Sequence, residues 1–341
     1  MRILVTGATG NVGSALTRAL LADPDVDEVV GLARRLPDTS VEPWSGLTWV
    51  QADLGDPASL PVLTEAARGC DVVVHLAWAL TPTRDEALLE RVNVGGTTRV
   101  VDAVLAAGVP HLVHTSSVGA YSPGPKDRRV DESWPTGGIS GSWYSRQKAA
   151  CERLLDDVER SGRPLGITRV RPAIAVQPRA GAELGRYGLG PLVPRWAVGR
   201  LTPPLVPLPR ELRTQVVHSE DLAEAFRLAV HARPVGGLNV ADEPVLGPDE
   251  LARAVGARRS VPVHPGLVRG AMDLSWHLRL QPLDPGWFDL GRWTPLMDTG
   301  RVRTELGWTP VHRGDGALAE SVIGIRDATG DPSSPLLRPG R

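Results

Sequence analysis

The sequence has little of several residue types, and each scarcity limits what this chain can be. Its 341 residues include only two cysteines, Cys70 and Cys151, which are far apart and form no Cys-x-x-Cys pair. The sequence therefore predicts neither a disulfide framework nor a zinc site. The charges also nearly cancel, with 38 basic and 39 acidic residues. No electrostatic attraction to nucleic acid or to an anionic membrane is expected.

Long hydrophobic runs are absent as well. The segment 188–209 comes closest to the length of a membrane span, but several prolines together with Arg195 and Arg200 interrupt it. The first residues already have the pattern of a buried strand that leads into a glycine turn, which leaves no room for a signal peptide. We therefore expect a cytoplasmic protein that acts on a small molecule and has no nucleic acid, membrane or metal as partner.

The sequence does contain an alternation of short β-branched runs with amphipathic helical stretches. Strands separated by such helices predict right-handed βαβ crossovers and an α/β fold with a doubly wound parallel sheet. We expect this domain over residues 1–175, rejoined by a strand near residues 235–242. The predicted strands cover residues 3–5, 28–32, 48–51, 71–75, 112–115, 166–170, 215–218 and 237–240, and the predicted helices cover residues 12–22, 58–67, 86–107 and 143–160.

The second half of the chain has a different composition. Residues after Arg171 are rich in proline and glycine, and no regular period runs through residues 180–209. We expect residues 176–329 to form a smaller, irregular C-terminal region that covers the carboxyl edge of the sheet and binds substrate. Residues 330–341 are rich in proline, serine, glycine and arginine, and this composition predicts a disordered tail.

A glycine-rich turn lies between the first predicted strand and the first predicted helix. A turn at a helix N-terminus suits a pyrophosphate, because the backbone N–H groups and the helix dipole stabilise negative charge. Gly7 would permit the tight turn, Gly10 the approach of the phosphates, and Gly13 the close packing of helix on strand. This context predicts a Rossmann-type dinucleotide site that includes Gly7, Thr9, Gly10, Asn11, Val12 and Gly13.

The residues after the second strand bear on which dinucleotide is bound. An acidic residue there would bind the ribose hydroxyls of NAD, but Ala33 holds that position, and Arg34 and Arg35 follow it. A guanidinium can pair with the 2′-phosphate of NADP, so NADP(H) is favoured and NAD(H) is the alternative. The two arginines also fit a solvated loop. Asp53, after the third strand, either accepts a hydrogen bond from adenine or caps the next helix.

Tyr144 and Lys148 are four residues apart in a predicted helix and therefore share one face. Carbonyl reduction needs a proton donor, and an ammonium group lowers the phenol pKa from its ordinary value of about 10. Ser117 follows the strand at residues 112–115, at the carboxyl edge where ligands bind, so its hydroxyl is placed to hold a substrate oxygen. The three residues predict hydride-transfer chemistry; an exposed i,i+4 pair is the alternative for Tyr144 and Lys148.

These motifs and their order resemble the extended short-chain dehydrogenase/reductase family, also called NAD-dependent epimerase/dehydratases. The match covers nearly the whole chain. Beyond the motifs above it includes Asp53-Leu54, His75-Leu76-Ala77, Asn93-Val94-x-Gly96-Thr97, Ser116-Ser117, Tyr121, Arg171-Pro172, Val217-His218-x-x-Asp221-Leu222-Ala223 and Leu306-Gly307-Trp308-x-Pro310.

The resemblance implies roles for further residues. Asn93 would support the central sheet or an active-site water. The helices at residues 86–107 and 143–160 would form a homodimer interface. The cofactor channel would be lined by residues that include Asp53, Leu54, Leu76, Ala77, Trp78 and Asn93, with Tyr144 and Lys148 at its nicotinamide end.

The same resemblance narrows the chemistry. Dehydratases of the family carry an Asp-Glu pair directly after the catalytic hydroxyl residue, whereas this chain has Val118 and Gly119 there, and neither transfers a proton. Sugar-nucleotide enzymes often have asparagine where this chain has Ile174. We therefore predict an NAD(P)-dependent oxidoreductase that interconverts a ketone or aldehyde with its alcohol. A redox-neutral (nucleotide-)sugar epimerase and a non-catalytic dinucleotide-sensing protein are the alternatives.

Tryptophan is the abundant aromatic residue, with ten copies against three tyrosines and two phenylalanines. Trp78 and Trp143 each neighbour a motif position, so we predict that they line an apolar or aromatic substrate pocket with Ser117 and Tyr121. Packing in the core of the proline-rich region is the expectation for the other candidates, Trp196, Trp276 and Trp287.

Overall fold

The computed structural model of this chain describes residues 1–81, 83–188 and 204–339, and Trp196 lies outside them. The strands are β1 (Arg2–Thr6), β2 (Glu28–Ala33), β3 (Thr48–Gln51), β4 (Val72–His75), β5 (His111–Thr115), β6 (Arg129–Val130), β7 (Gly166–Pro172), β8 (Ile174–Val176), β9 (Leu205–Leu208), β10 (Val216–His218), β11 (Gly236–Val240), β12 (Arg259–Pro262) and β13 (Leu296–Met297). The helices are α1 (Asn11–Leu21), α2 (Leu60–Ala67), α3 (Glu86–Ala107), α4 (Trp143–Arg160), α5 (Gly181–Gly188), α6 (Ser219–Ala232), α7 (Pro248–Ala254), α8 (Pro265–His277), α9 (Gly286–Trp293), α10 (Gly300–Leu306) and α11 (Gly314–Arg326).

Seven strands form one parallel sheet in the order β11-β7-β5-β4-β1-β2-β3. The strand order reverses between β1 and β4, where Thr6 at the end of β1 is aligned with His75 at the end of β4. A crevice opens outside the carboxyl ends of the strands at such a point, and ligands bind there in sheets of this kind. The predicted α/β fold with a doubly wound parallel sheet is confirmed.

Two apolar layers, one on each face of the sheet, hold this arrangement together. Along β4, Val72 and Val74 belong to the layer that contains Phe226 of α6, whereas Val73 belongs to the layer that contains Leu155 of α4. The alternation follows from the two-residue period of a strand. Every residue of β4 is buried, as expected for a parallel sheet that helices cover on both faces.

The second half of the described chain contains short pieces of sheet. β8 pairs with β10, β9 with β12 and β13 with β6, each in parallel. β11 instead joins the main sheet at the edge beside β7. None of the helices that the structure describes is both long enough and apolar enough to cross a bilayer.

The end of the described chain differs from the disordered tail that composition predicted for residues 330–341. Residues 330–339 pack against the sheet domain, and the side chains of Ser334 and Leu337 are fully buried. The indole nitrogen of Trp44 donates to the Ser333 hydroxyl at 2.8 Å. The expectation was wrong for these residues because hydrogen bonds to distant groups fix a segment whose composition alone offers little apolar surface.

Candidate active site

The structure brings Ser117, Tyr144 and Lys148 together at the carboxyl edge of the sheet. Ser117 follows β5 and begins a short 3-10 turn, where its hydroxyl accepts from the Gly119 amide at 2.9 Å. Tyr144 is in the first turn of α4, and its phenol lies near enough to the Ser117 hydroxyl for Ser117 to influence the pKa of Tyr144. A Cβ at Gly119 would lie 2.9 Å from the ring of Tyr144. Glycine therefore lets the phenol pack directly on the turn that carries Ser117.

The phenol of Tyr144 is in its protonated form at neutral pH. Burial raises the pKa of Tyr144 to about 12, although the neighbouring Ser117 side chain offsets part of that shift. Burial raises the pKa of a phenol because the phenolate loses more solvation than the neutral group. As it stands, Tyr144 is equipped to donate a proton to a substrate oxygen.

Lys148 is buried on the same face of α4. Its ammonium donates to the Thr115 carbonyl at 2.8 Å and lies 3.5 Å from the ring centroid of Trp78, a cation–π contact. Burial lowers the pKa of Lys148 to about 7, against the opposing influence of Cys151 and Glu152. Lys148 is therefore poised to gain or lose a proton near neutral pH.

Three tryptophans surround the ring of Tyr144. The ring centroids of Trp78, Trp143 and Trp287 lie 5.8, 6.0 and 5.4 Å from that of Tyr144. Trp143 also donates from its indole nitrogen to Asp284 at 3.0 Å. Sequence reasoning placed Trp287 in the core instead, because it belongs to α9, far along the chain, and no local motif marks it.

The glycine-rich turn has the close contacts that its sequence predicts. Gly7 has φ +74°, and a Cβ there would lie 2.7 Å from the Ala77 amide nitrogen. At Gly13 a Cβ would collide with the Gly7 carbonyl oxygen, whereas at Gly10 the nearest atom of this turn would be 3.5 Å away. Among the described residues, α1 has neither a side-chain N-cap nor an acidic residue in its first turn. Its first amide groups suit the pyrophosphate of a dinucleotide.

The other predicted cofactor residues lie around this turn. Leu76, Ala77 and Trp78 follow β4 and are half-buried, and Leu54 and Thr9 are buried. Asn11, at the start of α1 with Val12 after it, donates to the Ala175 carbonyl at 3.0 Å. Arg34 and Arg35 are exposed directly after β2. One carboxylate oxygen of Asp53 accepts from the Gly55 amide at 2.8 Å, so Asp53 stabilises its own turn.

A family model for the NAD-dependent epimerase/dehydratase family matches residues 3–241 of this sequence. The match covers more than half of the chain. This chain belongs to that family. The resemblance inferred from the ordered motifs is therefore confirmed.

Two similar proteins show how far the sequence similarity extends. An uncharacterised protein of Mycobacterium tuberculosis is 28% identical over 327 residues, which cover 90% of this chain and 80% of that protein. Sterol demethylase protein B of Methylococcus capsulatus is 35% identical over 181 residues, 52% of each chain.

Solved structures share the fold across nearly the whole chain. The Thermus thermophilus UDP-glucose 4-epimerase in complex with NAD has a TM-score of 0.70 and 23% identity, over 96% of this chain and 100% of that one. The protein gox2253 has a TM-score of 0.74 and 22% identity, over 95% and 98% of the two chains. At such identities the similarity shows the fold.

Asn93, one of the family motif residues, connects α4 to the loop after β4. Its side-chain oxygen accepts from the Ala79 amide at 2.6 Å, and its nitrogen donates to the Gln147 side chain at 2.8 Å. Gln147 precedes Lys148 in α4, and Ala79 follows Trp78. Asn93 thus fixes the position of Trp78 relative to Lys148.

Tyr121, predicted to contact substrate, does not belong to this site. The 3-10 turn after Ser117 carries the chain inward, and Tyr121 is fully buried. Its hydroxyl donates to the Asn239 side chain at 2.7 Å and accepts from Arg171 at 3.0 Å. Because protein groups occupy both hydrogen-bonding capacities of this hydroxyl, Tyr121 ties the turn to β11 and β7.

Sequence reasoning missed Glu152, which anchors α4. Its carboxylate accepts from the Ser116 hydroxyl at 2.5 Å, from Arg169 at 2.9 Å and from Arg171 at 2.8 and 3.0 Å. Burial alone would raise the pKa of Glu152, but the hydrogen bonds and charges of these partners hold it below its ordinary value. Glu152 lies four residues after Lys148, and this spacing could have indicated that it faces the same side of α4. Its arginine partners belong to β7, however, and the spacing does not reveal them.

One group of possible metal ligands occurs in the described part of the chain, formed by His218, Glu220 and His312, whose ligand atoms lie within 4.8 Å of one another. The two imidazole rings are stacked, with centroids 3.8 Å apart and an interplanar angle of 23°. Lone pairs in nearly parallel ring planes do not converge on one ion. In addition, Nδ1 of His218 accepts from the Glu220 amide, so in the neutral ring the proton is on Nε2. This geometry does not favour a metal.

Proposed function

We propose that this chain is an NAD(P)-dependent oxidoreductase that interconverts a ketone or aldehyde with its alcohol. The observation that carries the proposal is the convergence of Ser117, Tyr144 and Lys148 beside the glycine-rich turn. Family membership alone is compatible with epimerases and dehydratases too. Val118 and Gly119, the residues after Ser117, offer no acid or base for a dehydration.

Each of the three residues has a separate task in the proposed reaction. The bound nicotinamide would supply the hydride for reduction or accept it for oxidation. In the reductive direction Tyr144 donates its phenolic proton to the carbonyl oxygen, which becomes the alcohol hydroxyl. Ser117 donates a hydrogen bond to the same oxygen as negative charge develops there. Lys148 stabilises the resulting phenolate until Tyr144 regains a proton from solvent.

The walls of the site support an apolar, aromatic substrate. The indole rings of Trp78, Trp143 and Trp287 lie around the phenol that would donate the proton. Aromatic rings pack well against a planar apolar molecule. In the described chain, the indole nitrogen of Trp78 is buried without a hydrogen-bond partner, and an oxygen acceptor on the bound substrate would satisfy it.

The direct test of this function is nicotinamide absorbance with NADPH and NADH in parallel, at neutral pH, over a panel of aromatic, aliphatic and steroid-like carbonyls. Consumption of reduced cofactor that depends on both the protein and the carbonyl would establish a reductase. The proposal is wrong if the protein binds the dinucleotide but consumes no reduced cofactor with any carbonyl and oxidises none of the matching alcohols.

We expect Trp287→Ala to lower kcat/KM for an aromatic carbonyl by about tenfold, because truncation of an aromatic side chain that packs on the substrate costs about 1 kcal/mol of binding or more. A small aliphatic aldehyde, which touches less of the wall, should lose much less. The matched control is Trp276→Ala, because Trp276 packs under the Arg84 guanidinium instead. Equal losses for both carbonyls would contradict an aromatic substrate pocket.

Arg34 provides the test of cofactor preference, because NADP(H) is proposed over NAD(H). We expect Arg34→Ala to weaken NADPH binding by about tenfold to a hundredfold, since a hydrogen bond to a charged group contributes about 1.5–3 kcal/mol. NADH binding should hardly change. Direct titration of both dinucleotides, with the exposed Arg160→Ala as control, measures the difference. Tighter binding of NADH than of NADPH by the unaltered chain would show that the preference is for NAD(H).

A redox-neutral epimerase is the second candidate, because solved structures that share the fold include UDP-glucose 4-epimerase with NAD. It would interconvert a nucleotide sugar with its epimer and cause no net change of nicotinamide absorbance. Ile174 and the indole rings around the site carry no positive charge that would bind a diphosphate. Conversion of UDP-glucose, followed by product chromatography, is the distinguishing assay.

A further inference from the structure

The described end of the chain lies directly on the glycine-rich turn. We call residues 330–339 the strap. The Ser334 hydroxyl donates to the Thr9 carbonyl at 2.8 Å, and Ser334 is fully buried. A Cβ built on Gly10 would lie 3.9 Å from a methyl carbon of Leu336. The strap therefore touches the two residues at the tip of the turn that we assign to dinucleotide binding.

Contacts on two other sides hold the strap in place. On one side, the Asp38 amide donates to the Ser333 carbonyl at 2.9 Å, and the Trp44 indole donates to the Ser333 hydroxyl. Both partners belong to the loop that follows β2. On the other side, the guanidinium of Arg186 in α5 donates to the carbonyls of Leu336 and Arg338. The strap thus connects the loop after β2, the glycine-rich turn and α5.

The strap also has a defined internal structure. Its chain turns back on itself, because the Asp331 amide donates to the Leu337 carbonyl at 3.0 Å and the Ser334 amide donates to the Asp331 carbonyl at 3.1 Å. The Ser334 hydroxyl accepts from the Leu337 amide at 3.4 Å while it donates to Thr9. One hydroxyl therefore connects the inner turn of the strap to the glycine-rich turn, and the Leu337 side chain is fully buried.

The strap borders the region that the adenosine half of a dinucleotide would occupy. That half lies between the glycine-rich turn and the residues after the second strand in sheets of this kind, which here are Arg34 and Arg35. The strap joins the same two walls, through Thr9 on one side and Asp38 on the other.

We propose that the strap is part of the dinucleotide site: it forms the outer wall of the adenosine pocket and retains the bound cofactor. This rests on the proposed function, in that the dinucleotide must lie on the glycine-rich turn. Loss of an outer wall should act mainly on dissociation, because the contacts that it makes are broken only as the ligand leaves.

The test is the dissociation rate of NADPH and of NADH from the full chain, measured by fluorescence after a chase with excess oxidised cofactor. Ser334→Ala removes the contact with the turn, and Arg186→Ala removes a distant anchor. A chain that ends at Thr329 lacks the strap altogether. We expect dissociation to accelerate about tenfold or more in each variant. Ser161→Ala is the matched control, because it too removes one hydroxyl-to-carbonyl bond, to Val158, far along the chain from the strap.

Hydrogen exchange provides a readout that needs no turnover. If the strap encloses the cofactor, added NADPH should slow amide exchange in residues 333–337 of the unaltered chain. Unchanged dissociation in both point variants would overturn the proposal, and so would tighter binding, which would mean that the strap blocks the pocket. The truncated chain, should it fail to fold, is not needed for this decision. Faster dissociation in a protein that neither reduces any carbonyl nor oxidises any matching alcohol would uphold the strap and refute the oxidoreductase.

Discussion

Replacing Tyr144 with phenylalanine is expected to lower kcat for carbonyl reduction by about 10²- to 10⁴-fold, the usual contribution of a positioned proton donor. The phenol oxygen, whose pKa the neighbouring Ser117 side chain influences, is the atom that would deliver the proton. The substitution removes this oxygen and retains the ring. Affinity for the dinucleotide should stay within about twofold, because a group that acts only in the transition state affects kcat more than binding.

The fold should survive this change, since the ring of Tyr144 packs against three tryptophans whichever atom occupies its para position. Tyr121→Phe is the matched control. It removes a hydroxyl that is fully buried and hydrogen-bonded to Asn239 and Arg171, so it should lower the free energy of unfolding by about 1 kcal/mol or more and leave kcat nearly unchanged.

Steady-state rates with saturating NADPH and direct titration of the cofactor distinguish the possible roles of Tyr144. If Tyr144→Phe turns over at the rate of the unaltered chain, the proton comes from another group and the assignment is wrong. A different outcome would indicate a sensor rather than an enzyme: neither the unaltered chain nor Tyr144→Phe turns over any carbonyl or nucleotide sugar, yet both bind a partner protein in a dinucleotide-dependent way.

The parts of the site that the sequence predicts are those whose geometry is local. Gly7, Gly10 and Gly13 lie within one turn and the start of one helix, so their spacing alone defines a cradle for phosphates. Tyr144 and Lys148 share a helix face because four residues complete about one turn. The position of Ser117 could be predicted because it follows a strand, and parallel strands all end at the same edge of the sheet.

The parts that sequence reasoning missed depend on contacts between distant segments. Trp287 packs on Tyr144 only because α9 folds over the edge of the sheet, and nothing in its neighbouring residues indicates this. Glu152 looks like an ordinary helix acid until β7 places Arg169 and Arg171 beside it. Composition likewise predicts disorder for residues 330–339, although one buried hydroxyl and several backbone hydrogen bonds are enough to fix them.

Lys148→Met is expected to abolish most of the activity and yet stabilise the fold at neutral pH. The pKa of Lys148 is lowered by burial from 10.5 to about 7. Between these two values the unfolded chain binds more protons at this position than the folded chain, so the contribution of Lys148 to the free energy of unfolding rises with pH. At pH 7 that contribution is unfavourable by a few kcal/mol, since each pKa unit corresponds to about 1.4 kcal/mol.

Methionine has nearly the same length and carries no charge, so it should remove this penalty although it forfeits the hydrogen bond to the Thr115 carbonyl. We expect the free energy of unfolding, measured with urea, to increase by about 2–3 kcal/mol at pH 7. The increase should shrink towards zero as the pH approaches 10, where the unfolded chain also begins to lose its proton. The activity should fall by about 10²-fold or more, because the phenolate of Tyr144 loses its stabilising charge.

Lys148→Arg is the matched control, because arginine keeps its charge at every accessible pH. Burying that charge should leave this variant no more stable than the unaltered chain, with no gain at pH 7. A Lys148→Met variant that is less stable at pH 7, or whose stability difference does not change with pH, would show that burial of Lys148 is not the cause. The expected result would mean that burial of Lys148 has two effects: it destabilises the fold, and it allows Lys148 to exchange a proton near neutral pH. Lys148 lies beside the phenol of Tyr144, which must be reprotonated in every turnover.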